Sequence, residues 1–257
     1  MSTQPQESSL SAAPTEGTAA SEPHAPQSSS PTSAVPALAA ERAEAVVDLL
    51  GVLAYGELTG FMRLTADADM APNLHTKTVL AALAVQEFGR FERLMAFLTD
   101  RGADAEAAMA PYVTVIEDYH ERTRPTDWVE GLVKAYVGDG IARDFYREIA
   151  AFLADDVRAV VEPVIEQPGH DEFIVATVRA ALEKEPSKAG RVALYARRLV
   201  GEALYQAQRV AAEQDHLPAL LVGGGDALGA DLAEFGRMLT RITDAHARRM
   251  ARLGMTP

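Results

Sequence analysis

Apolar residues recur at intervals of three and four along most of the chain after residue 36, and this periodicity predicts a protein built from helices. The first predicted helix carries the stripe Val46, Leu49, Leu53, Glu57, Gly60 and Leu64. The second is predicted to run from a cap at Asn73 to about Asp100, and the third to begin at a cap at Asp127. No segment alternates apolar and polar residues as a half-buried strand does. We therefore predict an all-α bundle.

Three more helices are predicted in the C-terminal half. The fourth begins near Asp155, and a kink or a break is expected at Pro168, because proline has no N–H and clashes with the preceding turn. The fifth covers roughly 188–214 and the sixth roughly 230–253. Between the second and third helices, the stretch AAMAPYVTVIEDYHERTRPTDW at 107–128 is predicted to form a long connection with some helix of its own.

The first 36 residues have a different composition from the rest of the chain. They are mostly Ser, Thr, Pro, Ala, Gln and Glu, without Lys or Arg and without a run of large apolar residues. Such a segment cannot bury enough surface to offset the entropy of ordering it. We predict a disordered tail over 1–36, lacking the features of a secretory signal, and one helical domain over 37–257.

Composition narrows the classes of function. A membrane span is not predicted, because the sequence contains no run of about 18 apolar residues. The chain has no Cys, which excludes disulfides, iron–sulfur clusters and thiolate zinc sites and fits a cytoplasmic protein.

The net charge is −13, which disfavours tight binding to nucleic acid, but it is uneven. From Lys188 to the end, 10 basic residues face 7 acidic ones, so contact with an RNA partner stays open. A solvated helix face is the preferred interpretation of four arginines in this part, Arg197, Arg198, Arg248 and Arg249.

Acidic residues stand where a helical core should be apolar. Glu57, Glu87 and Asp139 occupy core-facing positions, and His170 does so on the fourth helix. A buried charge costs several kcal/mol unless it is paired or binds a metal. Four-helix di-iron proteins use one Glu from each of two helices and Glu-x-x-His from each of the other two. Separations of 30 residues from Glu57 to Glu87 and 31 from Asp139 to His170 fit two stacked hairpins.

From about Ala37 onward, the chain resembles the ferritin-like proteins of actinobacteria that are grouped with the tRNA 2-methylthio-isopentenyladenosine hydroxylases. The resemblance lies in "LLGVLAYGEL", "EFGRFERL", "WVEGLVKAYVGDGIARDFYREIAAFL", "GHDEF" and "ARRLVGEALYQAQRVAAE". It implies a ferritin-like four-helix bundle with two additional C-terminal helices. It also implies two irons that activate dioxygen to hydroxylate a C–H bond, with Glu57, Glu87, Asp139 and His170 as ligands and tRNA as the partner.

Two positions depart from the family pattern. The family has His at position 90 and an acid at position 167, whereas this chain has Arg90 and Gln167. Arginine does not deprotonate in proteins, so it cannot become a ligand and brings a fixed positive charge. If Arg90 points inward, it can replace the metal as the counter-charge of the three acidic residues, and its fork of donors suits carboxylates.

Three functions remain open from the sequence. The first is an iron-dependent hydroxylase with an altered site for one or two ions. The second is a metal-free structural or protein-binding module, and the third is a mononuclear metal-storing or metal-sensing protein. Among the other polar residues, His120 is expected at the surface, His246 in a packed stripe and Glu202 in an interhelical hydrogen bond. The sequence EFGR occurs at both 87–90 and 234–237.

Overall fold

The computed structural model describes residues 34–165, 170–213 and 228–257, and within them the side chains other than those of 34–39, 164, 170 and 228–232. The described residues form helices α1 Ala34–Asp69, α2 Leu74–Asp100, α3 Ala105–Met109, α4 Val113–Arg122, α5 Trp128–Ala150, α6 Asp155–Ile165, α7 His170–Lys184, α8 Ala189–Glu213 and α9 Leu228–Arg252. Short 3₁₀ turns span Ala110–Tyr112 and Pro186–Lys188. These ranges contain no strand, so the all-α prediction is confirmed.

Local sequence signals fix the ends of the central helices. The side chain of Asn73 accepts a hydrogen bond from the Thr76 amide at 2.9 Å, and Asp127 caps α5 by accepting from the Glu130 amide at 3.0 Å. Both predicted caps are confirmed, and each satisfies an amide that has no partner within its helix. Gly102 follows α2 with φ of 74°, a conformation that glycine adopts without strain.

The helices pack in two groups that share α5. Helices α1 and α2 form an antiparallel hairpin against α3 and α6, and α7, α8 and α9 pack around α5. The approach of α1 to α3 is close enough to require glycine, because a Cβ atom at Gly51 would lie 2.1 Å from the carbonyl oxygen of Ala108.

Two predicted boundaries differ from those observed. Helix α1 begins at Ala34, three residues before the predicted start of the domain, and the rest of the predicted tail lies outside the described residues. The described residues of the predicted fourth helix belong to α6, which ends at Ile165, and α7, which begins at His170. Pro168, where a break was expected, lies in the stretch 166–169 between them, which is also outside the described residues.

By length and hydropathy alone, residues Ala40–Asp69 of α1 could cross a membrane, although no run of 18 apolar residues occurs. This test is also passed by the core helices of globular proteins. Much of this segment is buried, including Leu49, Leu50 and Leu53, which pack against other helices of the bundle. No other helix in the described part of the chain passes the test.

Candidate functional site

The three acidic residues predicted to converge do face the interior. Glu57 on α1 and Glu87 on α2 are 5% and 7% exposed. Asp139 on α5 keeps 27% of its side-chain surface accessible and lines the same internal cavity as the two glutamates. The side chain of His170 lies outside the described part, as does Gln167, so their predicted places in the site stay predictions.

Arg90 points into the same interior space and is only 4% exposed. Its Nε donates a hydrogen bond to Oε2 of Glu57 at 2.7 Å. Its Nη2 forms an ion pair with Oε2 of Glu87 at 2.5 Å. One guanidinium therefore contacts two buried carboxylates, and its pair with Glu57 joins α1 to α2.

The second EFGR sequence, at 234–237, provides an exposed counterpart to the buried pair of Glu87 and Arg90. Arg237 and Glu234 on α9 also pair, at 2.7 Å, but their side chains are 60% and 42% exposed. An exposed pair of this kind contributes little to stability. The same four residues thus form a solvated contact on α9 and a buried network on α2.

Charge in the buried network is only partly balanced. Burial raises the pKa of Glu57 well above its ordinary value, and the neighbouring Glu87 carboxyl raises it further while Arg90 lowers it. Burial, with a contribution from Glu87, also raises the pKa of Asp139 to about 7. Burial by itself lowers the pKa of Arg90, but the two glutamates outweigh it and raise that pKa. The guanidinium stays charged, and the carboxyls of Glu57 and Asp139 retain protons closer to neutral pH than isolated carboxyls would.

A second arginine supports Asp139 from its own helix. Arg143 Nε lies 3.3 Å from Oδ2 of Asp139, and Arg143 Nη2 donates to Oδ1 of Asp171 on α7 at 3.4 Å. These contacts are longer than those of Arg90, and they tie α5 to the first turn of α7.

Glycines on α1 make room for the polar groups of its neighbours. A Cβ atom at Gly60 would lie 3.3 Å from Glu87 Oε2, and one at Gly56 would lie 3.3 Å from the hydroxyl of Tyr146. Burial, then the charges of Glu57 and Asp139, raises the pKa of that hydroxyl, which therefore stays protonated. Tyr146 was not predicted to belong to the site, although the two glycines on α1 were an available signal for a close approach there.

The acidic residues line one part of a cavity of about 680 Å³. Its walls are mainly apolar and include Leu64, Ile141 and Phe145, with Phe235 and Met238 from α9. A volume of this size lies within the range of about 300–1,000 Å³ typical of small-molecule sites.

A second polar group lines the cavity nearer the C-terminal end of α1. Lys134 Nζ donates to the carbonyl oxygens of Thr123 at 3.0 Å and His120 at 3.4 Å. Burial lowers the pKa of Lys134 to about 8 and raises that of Asp67 to about 6. The lysine holds the C-terminal end of α4 against α5, where a positive charge is favourable.

The surface position expected for His120 is wrong. Its Nε2 lies 3.2 Å from the hydroxyl of Thr59, because α4 packs against α1 and α8 instead of following the surface. Burial, with the positive charges of Lys134 and Arg63, lowers the pKa of His120 to about 3.

The solvated position predicted for Arg249 is also wrong. Its side chain is only 12% exposed, and its Nη1 pairs with Asp144 Oδ2 at 2.7 Å. The other three arginines interpreted as a solvated face are exposed, as predicted: Arg197, Arg198 and Arg248. His246 is 4% exposed, which confirms its packed position. Glu202 on α8 lies 4.0 Å from Arg122 Nε on α4, an interhelical ion pair instead of the expected hydrogen bond.

The side chains that the structure describes do not fit a dinuclear iron centre. Among them, no group of three or more His, Asp or Glu has the arrangement needed to hold a metal ion. The carboxylates of Glu57 and Glu87, two of the predicted iron ligands, already contact the guanidinium of Arg90.

Comparisons with known proteins agree on the fold. A family model described as "Ferritin-like domain, actinomycetes" matches residues 40–224. A crystal structure of a Bacillus halodurans protein assigned provisionally as a class I ribonucleotide reductase is similar at 15% identity. The match covers 86% of this chain and 83% of that chain, with a TM-score of 0.56. No curated protein matches. The predicted ferritin-like fold is confirmed, whereas the likeness to tRNA hydroxylases stays a prediction.

Proposed function

We propose that this chain, which belongs to the ferritin-like domain family of actinomycetes, works without a dinuclear iron centre, as a metal-independent binding module. The observation that carries the proposal is the position of Arg90, whose guanidinium contacts the carboxylates of both Glu57 and Glu87 inside the bundle. In a di-iron protein of this architecture, the corresponding carboxylates hold the metal.

Electrostatics supports this assignment. A metal ion bound by Glu57 and Glu87 would have to displace a guanidinium that stays protonated in proteins. Arg90 is only 4% exposed and could not simply turn into water. Breaking a buried pair by removing one partner costs about 3–5 kcal/mol, because the remaining charge is left uncompensated. Iron binding would have to overcome this cost before any net affinity remained.

The same contacts give the network a structural role. The Glu57 pair joins α1 to α2, and the Arg143 contacts join α5 to α7. Buried ionic contacts between helices can fix which of several helix packings forms, even where they add little net stability. We assign this role to the acidic cluster in place of dioxygen activation.

Hydroxylation of tRNA is the competing proposal and follows from the resemblance of the sequence. It requires bound iron, so an altered site with one or two ions would have to form despite Arg90. A mononuclear metal-sensing site is the remaining alternative and would also require measurable metal affinity.

Calorimetric titration with Fe(II) under anaerobic conditions separates these proposals. We expect the wild-type protein to show no saturable binding tighter than about 100 µM. The matched variant Arg90→His with Gln167→Glu restores the family pattern, and we expect it to gain iron affinity. At a free iron concentration of 100 times its Kd, that variant should be stabilised by about 2.7 kcal/mol. Saturable micromolar binding by the wild type would overturn the proposal.

A further inference from the structure

We infer that the cavity binds a neutral, mainly apolar molecule whose polar head both donates and accepts a hydrogen bond, such as a primary alcohol or a carboxamide. The inference deepens the proposed function and rests on it in one respect, namely that iron does not occupy the acidic part of the cavity. Its evidence is a buried donor and a buried acceptor that lack partners among the described residues, together with the charge of the cavity wall.

The donor is the side-chain amide of Gln206 on α8, a residue that is only 6% exposed and lines the cavity. Arg209 Nη1 donates to Gln206 Oε1 at 3.0 Å. Because arginine carries only donors, the oxygen of the amide must face Arg209, and the NH₂ group must face away from it. Nε2 of Gln206 then has no acceptor within the described residues. A buried donor without a partner costs about 1–3 kcal/mol, and an acceptor on a ligand would recover part of that cost.

The acceptor is Nδ1 of His120 on α4. The hydroxyl of Thr59 has a single proton and lies 3.0 Å from the carbonyl oxygens of both Tyr55 and Gly56, so it donates to the backbone. We therefore assign its oxygen as the acceptor of a hydrogen bond from His120 Nε2, 3.2 Å away, and so assign the imidazole proton to Nε2. Nδ1 is left as a bare acceptor without a partner among the described residues.

The two atoms require opposite hydrogen-bonding groups on a ligand, an acceptor for Gln206 Nε2 and a donor for His120 Nδ1. Gln206 offers a donor from α8 and His120 an acceptor from α4, two helices that pack against each other. A hydroxyl or a carboxamide can serve either atom, whereas an ether, a ketone or a hydrocarbon cannot serve both. Both residues line the cavity, and each of the two atoms is buried without a partner among the described residues.

The charge of the wall favours a neutral head over an anionic one. Four carboxyl groups line the acidic part of the cavity, and they belong to Glu57, Glu87, Asp139 and Asp171. Two guanidiniums, of Arg90 and Arg143, are in contact with them. Arg252 also approaches Asp171, at 3.9 Å, but pairs more closely with Glu172, at 2.6 Å.

Elsewhere on the wall, Arg63 pairs with Glu117 at 2.8 Å, and the buried Lys134 and Asp67 offset each other's charge. Because the Glu57 and Asp139 carboxyls hold protons near neutral pH, the wall has neither a surplus of cations to balance an anionic ligand nor water to solvate its charge, so burying that charge would be costly. The apolar walls accommodate the hydrocarbon part of a neutral ligand.

Displacement of N-phenyl-1-naphthylamine, a neutral fluorescent probe of apolar sites, tests the inference on the full-length protein. The competitors are 1-decanol, decanamide and decanoate, which share one chain length and differ in the head group. We expect 1-decanol and decanamide to displace the probe with similar constants and decanoate to be weaker by about tenfold or more, which corresponds to ~1.4 kcal/mol. Equal potency of decanoate, or no displacement by any competitor, would overturn the inference.

Two variants locate the site. Gln206→Leu removes the amide donor. We expect this variant to bind 1-decanol about fivefold more weakly, whereas the affinity for the probe should not change. Gln86→Leu on the exposed side of α2 is the matched control and should leave both constants unchanged. Ala207→Phe fills the cavity from α8, and we expect it to abolish probe binding with an unchanged helical circular dichroism spectrum. An unaffected alcohol constant in Gln206→Leu, or probe binding retained in a folded Ala207→Phe protein, would contradict the assignment.

The two proposals fail separately. Iron-bound protein that still prefers the alcohol to decanoate would refute the metal-independent function and leave the ligand class standing. Iron-free protein without that preference would refute the ligand class alone.

Discussion

Nε of Arg90 on α2 donates to the Glu57 carboxylate on α1 at 2.7 Å, in a part of the bundle where both side chains are less than a tenth exposed. This contact places a permanent cation at the centre of a ferritin-like fold. The same guanidinium reaches Glu87 on its own helix, so one arginine supplies a counter-charge to two acidic side chains. The energetic consequences can be measured one residue at a time.

Arg90→Met should destabilise the protein by about 3–5 kcal/mol at neutral pH, because it leaves two buried carboxylates without their cation. Urea unfolding followed by circular dichroism gives the change in the free energy of unfolding. Arg237→Met is the control, since it breaks an equivalent pair that is exposed on α9 and should cost at most about 1 kcal/mol. Similar losses in the two variants would show that burial does not strengthen the role of Arg90.

Asp139→Asn should make stability less dependent on pH. The pKa of Asp139 in the folded protein is about 7, above its ordinary value of 3.8, so the folded state binds more protons between these values than the unfolded state does. The contribution of Asp139 to stability is therefore most favourable below about pH 4 and is lost as the pH rises through 7.

Asparagine does not ionise, so the variant should gain stability relative to wild type between pH 5 and pH 8, by about 2–3 kcal/mol. Urea unfolding at pH 5, 6, 7 and 8 measures the difference. Asp100→Asn on the exposed end of α2 should show a difference that hardly varies with pH. A constant difference for Asp139→Asn would mean that its carboxyl is ionised throughout this range.

Lys134→Met should loosen the C-terminal end of α4, because it removes the donor to the carbonyl groups of His120 and Thr123. A loss of about 1–3 kcal/mol is expected if those carbonyls are left without a partner. Relative to wild type, hydrogen exchange should speed up more in residues 119–123 than elsewhere in the variant. Lys77→Met, which removes an exposed ion pair with Asp69, should change neither quantity appreciably. Unchanged exchange in α4 would assign its position to apolar packing alone.

Gly60→Ala and Gly89→Ala should have opposite effects, although both lie in helices. Alanine favours a helix over glycine by about 1 kcal/mol, and nothing lies within 4 Å of a Cβ atom at Gly89, so that variant should be more stable. At Gly60 the Cβ atom would press on the Glu87 carboxyl at 3.3 Å and disturb its pair with Arg90. The melting temperatures of the two variants provide the comparison, and stabilisation by Gly60→Ala would show that Glu87 has room to move.

The sequence predicts those parts of the site that depend on the period of one helix. The caps at Asn73 and Asp127 are local, and core-facing positions such as Glu57, Glu87 and Asp139 follow from the spacing of apolar neighbours. Two helices brought together by a short connection then place the first two acids side by side.

Parts of the site that depend on contacts between distant segments could not be predicted in this way. His120 lies on a helix within a long connection, and its burial depends on how α4 packs against α1 and α8. The pairing of Arg249 with Asp144 likewise depends on α9 crossing α5, which the period of neither helix specifies. The roles proposed for His170 and Gln167 stay predictions.

The iron content per chain is the most direct test of whether Arg90 takes the place of a metal in the acidic cluster. The wild-type protein, expressed in iron-rich medium and dialysed extensively, is analysed by inductively coupled plasma mass spectrometry beside the Arg90→His, Gln167→Glu variant. We expect about 0.1 iron or less per wild-type chain, because Arg90 supplies the charge that iron would otherwise provide. About two irons per chain retained after dialysis would contradict this expectation.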